Sequence, residues 1–346
     1  MNGIRKKPWA LIVSILGLTG VSLAAALPQE LMRFEATQKQ MGVPFTITLY
    51  APTEEVANEA VRAAFARIKE LNGIFSDYEP ESELMRLCRT AGTGQAMHVS
   101  DDLWRVLARA QQVSAATGGA FDVTVGPYVK LWRKARRTRQ LPNADELAAA
   151  ALVVDYRLLK LDPERRTVEL PRKGMLLDLG GIAKGFAADE ALSVLKRQGF
   201  AQAFVAADGD IAFGDAPPEK PGWRIGIAPL LAPDAPPSRF VTLANAAVST
   251  SGDAWQFVEI AGVRYSHIVD PHTGLGLTVH SSATVIAPDG NTADSFATAA
   301  SVLGPERGIL FINREPGTAA LVVIAADGTA QTHESSRWKD FAPQEP

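Results

Sequence analysis

Cysteine is almost absent: Cys88 is the one cysteine among 346 residues. That excludes a disulfide within the chain, an Fe–S cluster and a cysteine-rich zinc site. Cys88 lies in the apolar-periodic stretch LMRLC, which reads as a buried thiol rather than a nucleophile. An excess of basic charge is also missing. The net charge is -3 and the pI about 6.0, so nothing suggests a nucleic-acid surface. Neither GxxxxGK[ST] nor GxGxxG occurs, which removes the P-loop and the Rossmann fingerprint. No internal repeat is visible, and no long apolar run follows the first 26 residues. What remains is ordinary globular material. Hydrophobic residues make up 47% and charged residues 21%, enough to bury a core in one large domain or two smaller ones.

The first 26 residues read as an address. Arg5, Lys6 and Lys7 form a positive region, residues 8–23 an apolar stretch, and Ala24, Ala25 and Ala26 a small-residue end. This is the three-part pattern of a secretory signal. The run is short for a membrane span, which needs ~20 residues. An uncleaved single anchor is the alternative, and no cysteine lies near the end to carry a lipid. Either reading places residues 27–346, expected to form one domain, in the periplasm.

Further on, GVPFTITLYAP alternates like a strand and stops at Pro52. Residues 53–75 read as a helix with Val56, Ala60, Ala64, Ile68, Leu71 and Phe75 on one stripe. A second helix follows the cap Ser100 and stops at Gly118-Gly119. The basic stretch RKARRTRQLP, residues 133–142, reads as a solvated face or loop. From residue 150 short strand-like runs dominate, interrupted by a helix over about 183–198 and another over about 293–303 that ends at Gly304. Two proline-rich stretches, 215–222 and 231–238, read as surface loops. A hairpin is expected around the Asp-Gly turn at 327–328. Strands and helices mix without regular βαβ alternation, so the expected fold class is α+β.

Several constellations carry chemistry. Asp294 and Thr298 stand four apart on the expected helix, one turn apart on one face, and offer two hard oxygens to Mg²⁺; capping and backbone bonding are the bland alternatives. DLGGIAKG, 178–185, is a glycine-rich strand-to-helix junction with Lys184 beside backbone amides, suited to a phosphate or simply to a tight turn. YSHIVDPHTG, 265–274, gathers His267, Asp270, His272 and Thr273, with His267 of the right acidity for proton transfer near neutrality. His98, His280 and His333 read as structural. Tyr78, in FSDYEPESEL, is placed to stack on a flat ring or to sit half-buried in its loop. Asp122, between a helix end and an expected strand in GGAFDVTVGP, is placed to bond a ring amide or to cap its turn.

Taken in order, FSDYEPESEL, GGAFDVTVGPYVKLW, DLGGIAKGFAADEAL, VSTSGD, HIVDPHTG and ADSFATAASVLG resemble the ApbE family of FAD:protein FMN transferases, over about residues 40–305. The resemblance implies a mixed α+β fold around a single flavin-binding cleft. Met41 and Tyr78 match flavin-contacting positions, and Ala120, Phe121 and Asp122 a segment lining the same pocket. Asp178, Lys184 and Ile268 match FAD-site positions. Gly181 matches a position giving a backbone oxygen to the metal, Asp294 and Thr298 its side-chain ligands, and His267 the histidine considered catalytic. Four departures stand out: MGVPF for the usual MGT, Leu87-Cys88 where LN is common, LGL after DPHTG where a proline is common, and AADGD without the usual double glycine.

The resemblance implies metal-dependent transfer of FMN from FAD to a Ser or Thr hydroxyl, with release of AMP. Mg²⁺ is the expected ion, with Mn²⁺ the other candidate. The partners it implies are exported or membrane-attached redox subunits. His267 is the first candidate base, with Asp270 orienting it or substituting for it, and transfer is expected to fall through the imidazole range near pH ~6.5. An FAD pyrophosphatase and a non-catalytic exported FAD-binding protein remain as alternatives.

Overall fold

The computed structural model describes residues 31–341, so the expected signal over 1–26 lies outside the described residues. In chain order the elements are β1 (Met32–Gln40), β2 (Val43–Ala51), α1 (Glu54–Phe75), α2 (Glu83–Arg89), β3 (Met97–His98), α3 (Asp101–Ala116), α4 (Gly126–Thr138), α5 (Ala144–Ala151), β4 (Lys160–Asp162), β5 (Thr167–Glu169) and α6 (Ala183–Arg197). Then follow β6 (Ala203–Ala207), β7 (Asp210–Phe213), β8 (Trp223–Ile227), β9 (Arg239–Leu243), β10 (Ala247–Gly252), β11 (Phe257–Ile260), β12 (Val263–Ser266), β13 (Ser281–Ala287), α7 (Gly290–Arg314), β14 (Ala319–Ala326) and β15 (Thr329–Glu334).

Eight strands form one sheet in the order β1-β2-β6-β7-β10-β13-β14-β15, with every neighbouring pair antiparallel. This is the α+β class expected from the sequence. Helices α1, α6 and α7 pack beside one another and against this sheet. On α1 the buried stripe is Ala57, Ala60, Val61, Ala64, Phe65, Ile68, Leu71 and Phe75. Val56, expected on that stripe, is exposed instead. It sits in the first turn of α1. A second cluster, with Phe213, Trp223, Val241, Ile286, Leu321 and Trp338, includes side chains of the β8–β9 hairpin. β13 is buried at every position, which explains why SSATVIA is a continuous small and apolar run rather than an alternating one.

Two glycines set how closely the site-bearing helices meet. A Cβ on Gly185 would overlap the carbonyl of Gly290, and a Cβ on Gly290 would come 2.5 Å from the Gly185 oxygen. Only bare backbone lets α6 and α7 cross here. Above the crossing, both carboxylate oxygens of Asp189 accept from the first amides of α7, Gly290 N at 2.7 Å and Asn291 N at 2.9 Å. Gly185→Ala is therefore expected to lower the melting temperature by about 5–10 °C, an overpacking loss of ~2–3 kcal/mol. An unchanged thermal melt would refute the close crossing.

The expected helix over 293–303 proves longer. It begins at Gly290 behind the cap Asp289 and continues past a break at Gly304, whose φ of 75° only glycine adopts comfortably. Pro305 needs no amide partner there, so the helix restarts at once. The hairpin at 327–328 is present, with Asp327 and Gly328 both at positive φ.

Candidate active site

A deep cleft of about 1030 Å³ opens among the β1–β2 turn, the loop after α1, the start of α4, the glycine-rich turn before α6, β10 and α7. It lies at the top of the range of small-molecule sites, ~300–1,000 Å³. Of the residues singled out from the sequence, Met41, Tyr78, Ala120, Phe121, Asp122, Asp178, Gly181, Lys184, His267, Ile268, Asp294 and Thr298 all line it; Asp270 does not.

One end is apolar and aromatic. Met41 and Gly42 make the tight β1–β2 turn, both at positive φ. Tyr78 is 73% exposed, with the Arg133 guanidinium 4.3 Å from its ring centroid. Ala120 and Phe121 are buried in the floor. Asp122, expected ahead of a strand, stands in a turn leading into α4, where only an isolated bridge joins Val125 to Leu176. One of its oxygens accepts from Thr124 N and Oγ1, each at 2.7 Å, and the other from Tyr156 N at 2.8 Å. Burial pushes this carboxyl up to about 6, against the pull of those donors. Asp122 thus shapes the floor and has little left for a ligand.

The other end is polar and charged. Asp294, in the first turns of α7, is buried, and one of its oxygens accepts from Gly185 N at 3.1 Å. Burial, then the nearby Asp210 carboxylate, holds its acidity weaker than usual. Thr298, one turn on, lies with Oγ1 3.3 Å from Ser251 Oγ. Gly181 packs directly on it, and a Cβ there would stand 2.9 Å from Thr298 Oγ1. Lys184 Nζ contacts Asp210 Oδ2 at 2.8 Å and lies 3.9 Å from Asp294 Oδ1. These carboxylates hold Lys184 protonated, above the usual lysine range, although burial works the other way.

These oxygens fit a hard divalent cation. Among the described residues no group of three or more His, Cys, Asp or Glu could hold a metal. An ion here would rest on the Asp294 carboxylate, the Thr298 hydroxyl and backbone oxygen, leaving positions for substrate phosphate and water.

The glycine-rich turn differs from expectation in one respect. Most of its amides are engaged internally: Gly180 N with Asp178 Oδ1 at 2.8 Å, and Ile182 N and Ala183 N with the Leu179 carbonyl. Among the described residues Gly181 N has no such partner. Positive charge for a phosphate therefore comes mainly from Lys184 rather than from a fan of free amides.

His267 and Asp270 are not paired. The His267 Nδ1 lies 3.2 Å from the Gln256 carbonyl. A carbonyl only accepts, so the proton belongs on Nδ1 and the lone pair on Nε2. Burial pushes the ring down to about 4, so it is neutral through the physiological range. The Asp270 carboxylate serves its own loop instead, accepting from His272 N at 2.9 Å and from Thr273 Oγ1 at 3.2 Å. The expectation that Asp270 orients His267 is corrected: Gln256 does so through its backbone.

Several site residues were missed in the sequence. Arg133 stood in a stretch read as a solvated face, yet it contacts Asp77 at 2.5 Å and Asp178 at 3.3 Å. Arg136, in the same stretch, also lines the cleft, whereas Lys134 is exposed on Glu146 and Arg137 and Arg139 stand in solvent. Asp210 and Gln256 carried no signal beyond sitting at turns. Cys88 is buried, as expected, and its sulfur accepts Leu177 N at 3.3 Å.

The antiparallel sheet backed by three helices, with one deep cleft aromatic at one end and charged at the other, defines an α+β protein built to hold an extended, phosphate-bearing aromatic molecule. The chain belongs to the ApbE family, whose model matches residues 41–322. It is 30% identical over 339 residues to the FAD:protein FMN transferase of Haemophilus influenzae, covering 94% of this chain and 97% of that one. It is 30% identical over 332 residues to that of Treponema pallidum, covering 91% of each. The structure of the flavin transferase ApbE from Vibrio cholerae superposes with a TM-score of 0.79 at 28% identity, over 90% of this chain and 100% of that one. The Thermotoga maritima ApbE protein gives 0.81 at 27% identity, again over 90% and 100%.

Proposed function

We propose that this chain is an FAD:protein FMN transferase, moving FMN from FAD to a side-chain hydroxyl of another protein and releasing AMP. The observation that carries the reading is one cleft that sets an aromatic end beside Lys184, Asp294 and Thr298, with a neutral imidazole facing it. The flavin ring suits the Tyr78 and Met41 end and the pyrophosphate the Lys184 end. The acceptor oxygen attacks the FMN phosphorus, the bond to the AMP oxygen breaks, and the acceptor proton passes to Nε2 of His267. Lys184 neutralises phosphate charge as AMP departs. Asp294, Thr298 and a backbone oxygen, with Gly181 the candidate, would hold a Mg²⁺ or Mn²⁺ ion, which would supply charge neutralisation at the pyrophosphate.

Incubation with FAD, Mg²⁺ and an acceptor protein separates the possibilities. Covalent flavin on the acceptor supports transfer; only free FMN and AMP would mean a hydrolase; unchanged FAD would mean a binding protein.

Export follows from residues 1–26, and the acceptors proposed are exported or membrane-attached redox subunits carrying a reactive Ser or Thr. The mature N-terminus is expected near Leu27. N-terminal sequencing of the protein from expressing cells tests this, and a full-length chain in the soluble cytoplasm would refute it.

A further inference from the structure

Arg133 is one of two arginines of the basic stretch that line the cleft. Its neighbours on α4, Lys134 and Arg137, point to solvent, while Arg133 and Arg136 line the cleft, and of the two it is Arg133 that bridges two carboxylates. One arm reaches Asp77, in the loop after α1, at 2.5 Å, and the other reaches Asp178, at the head of the glycine-rich turn, at 3.3 Å. The Tyr78 ring lies against its guanidinium with 4.3 Å between carbon and centroid. Its third nitrogen, Nε, is buried without a partner. The guanidinium is therefore oriented by the two carboxylates and the ring at the expense of its own remaining donor.

We propose that Arg133 is a positioning residue that builds the flavin end of the cleft: it ties the Tyr78 loop to the glycine-rich turn and holds the exposed tyrosine ring as a preformed wall. The proposal rests on the transferase reading, which places the flavin at this end. Without Arg133, Asp77 and Asp178 face each other uncompensated, and burial together with Asp77 already weakens the acidity of Asp178. Tyr78, largely in solvent, would then sample many rotamers, and ordering it would be charged to FAD binding. Lysine cannot substitute. A single ammonium neutralises charge, but it neither bridges two carboxylates in a plane nor offers a flat face to the ring.

The test compares Arg133→Lys, Arg133→Met, Tyr78→Ala and the Arg133→Met/Tyr78→Ala double variant. FAD affinity is read by flavin fluorescence and stability by thermal melt, both on the full chain. Arg133→Met and Tyr78→Ala are each expected to weaken FAD about tenfold, and the double variant little more than either, far from the about hundredfold of independent sites. Arg133→Lys should recover the melting temperature but not the affinity, which separates positioning from mere fold support. Unchanged FAD affinity in Arg133→Met, fully multiplicative effects, or affinity that recovers with stability in Arg133→Lys would each overturn the proposal. If Tyr78→Ala alone leaves affinity untouched, the flavin is not at this end; that failure belongs to the site reading, takes the wall with it, and is seen without any Arg133 variant.

Discussion

Replacing Asp294 with alanine is expected to lower FMN transfer by at least about a thousandfold. Asp294 is the carboxylate that stands with the Thr298 hydroxyl and the Gly181 backbone, and among the described residues no group of three or more His, Cys, Asp or Glu is arranged to replace it. Asp210 is close, but its oxygens are committed to Lys184 and Ser249. Losing a bound ion would forfeit several kcal/mol of charge stabilisation at the pyrophosphate, and each 1.36 kcal/mol is tenfold. The fold should survive. Asp294 is buried and sits near Asp210, so removing its charge relieves desolvation and repulsion while leaving Lys184 paired. Asp294→Asn is the sharper variant, because its amide oxygen still accepts from Gly185 N while the charge is gone. It should melt near the wild-type temperature yet lose Mn²⁺ affinity in a direct titration. Full transfer in metal-limited buffer, or undiminished Mn²⁺ binding, would remove Asp294 from the metal site.

The elements legible in the sequence were those whose signals are local. Ser100 and Thr53 are side-chain caps with apolar stripes behind them, and Gly199 stops α6 by adopting positive φ. Besides β1, whose polar run carries no strand pattern, the elements missed were weaker in the same terms. Helix α2 is one short stretch, α5 is a run of alanines with little pattern, and α4 begins at Gly126-Pro127, residues that look like a turn. The site divides in the same way. Asp294 and Thr298 share one helix face, which their spacing shows, while their reading as a metal pair rests on the resemblance to the family. Arg133 finds Asp77 and Asp178 across 56 and 45 residues of chain, and Lys184 finds Asp210 across a helix and a strand. Nothing local encodes such pairs. The partner of His267 is a backbone carbonyl, which every residue possesses and no side-chain pattern reveals. Asp270, nearest in sequence, was the natural guess, but its loop folds back to satisfy its own amides.

His267→Ala is expected to retain FAD binding while losing transfer by about 10²–10⁴-fold, the usual contribution of a general base. A hydroxyl near its ordinary acidity is a poor nucleophile, and Nε2 of a ring fixed at Nδ1 by Gln256 is the oriented acceptor facing the cleft. The pH dependence changes with the structure. A base works only when unprotonated, so its contribution is lost as pH falls through its own pKa. Burial, reinforced by the charges of Arg136 and Lys184, pushes the imidazole down to about 4, so the decline expected near pH ~6.5 moves well below pH 5. The His267 contribution to kcat/KM for FAD, which reports the free enzyme, should stay level from neutrality to about pH 5, so a fall over that range would come from another group such as Asp294, whose acidity burial and Asp210 weaken. With so low a value a level profile does not separate this histidine from a carboxylate base, so the ring itself must be titrated. In an NMR titration the His267 ring should protonate with a midpoint below about pH 5; a midpoint near 6.5 would show that burial does not control it. The linked stability has a definite sign. The unfolded chain binds this proton near pH ~6.5 and the folded chain near 4, so His267 lowers stability as pH falls through that window, and His267→Ala should flatten the loss. If FAD affinity collapses in His267→Ala, the ring is a binding group. If transfer persists at the wild-type rate, the proton leaves by another route and His267 is not the base.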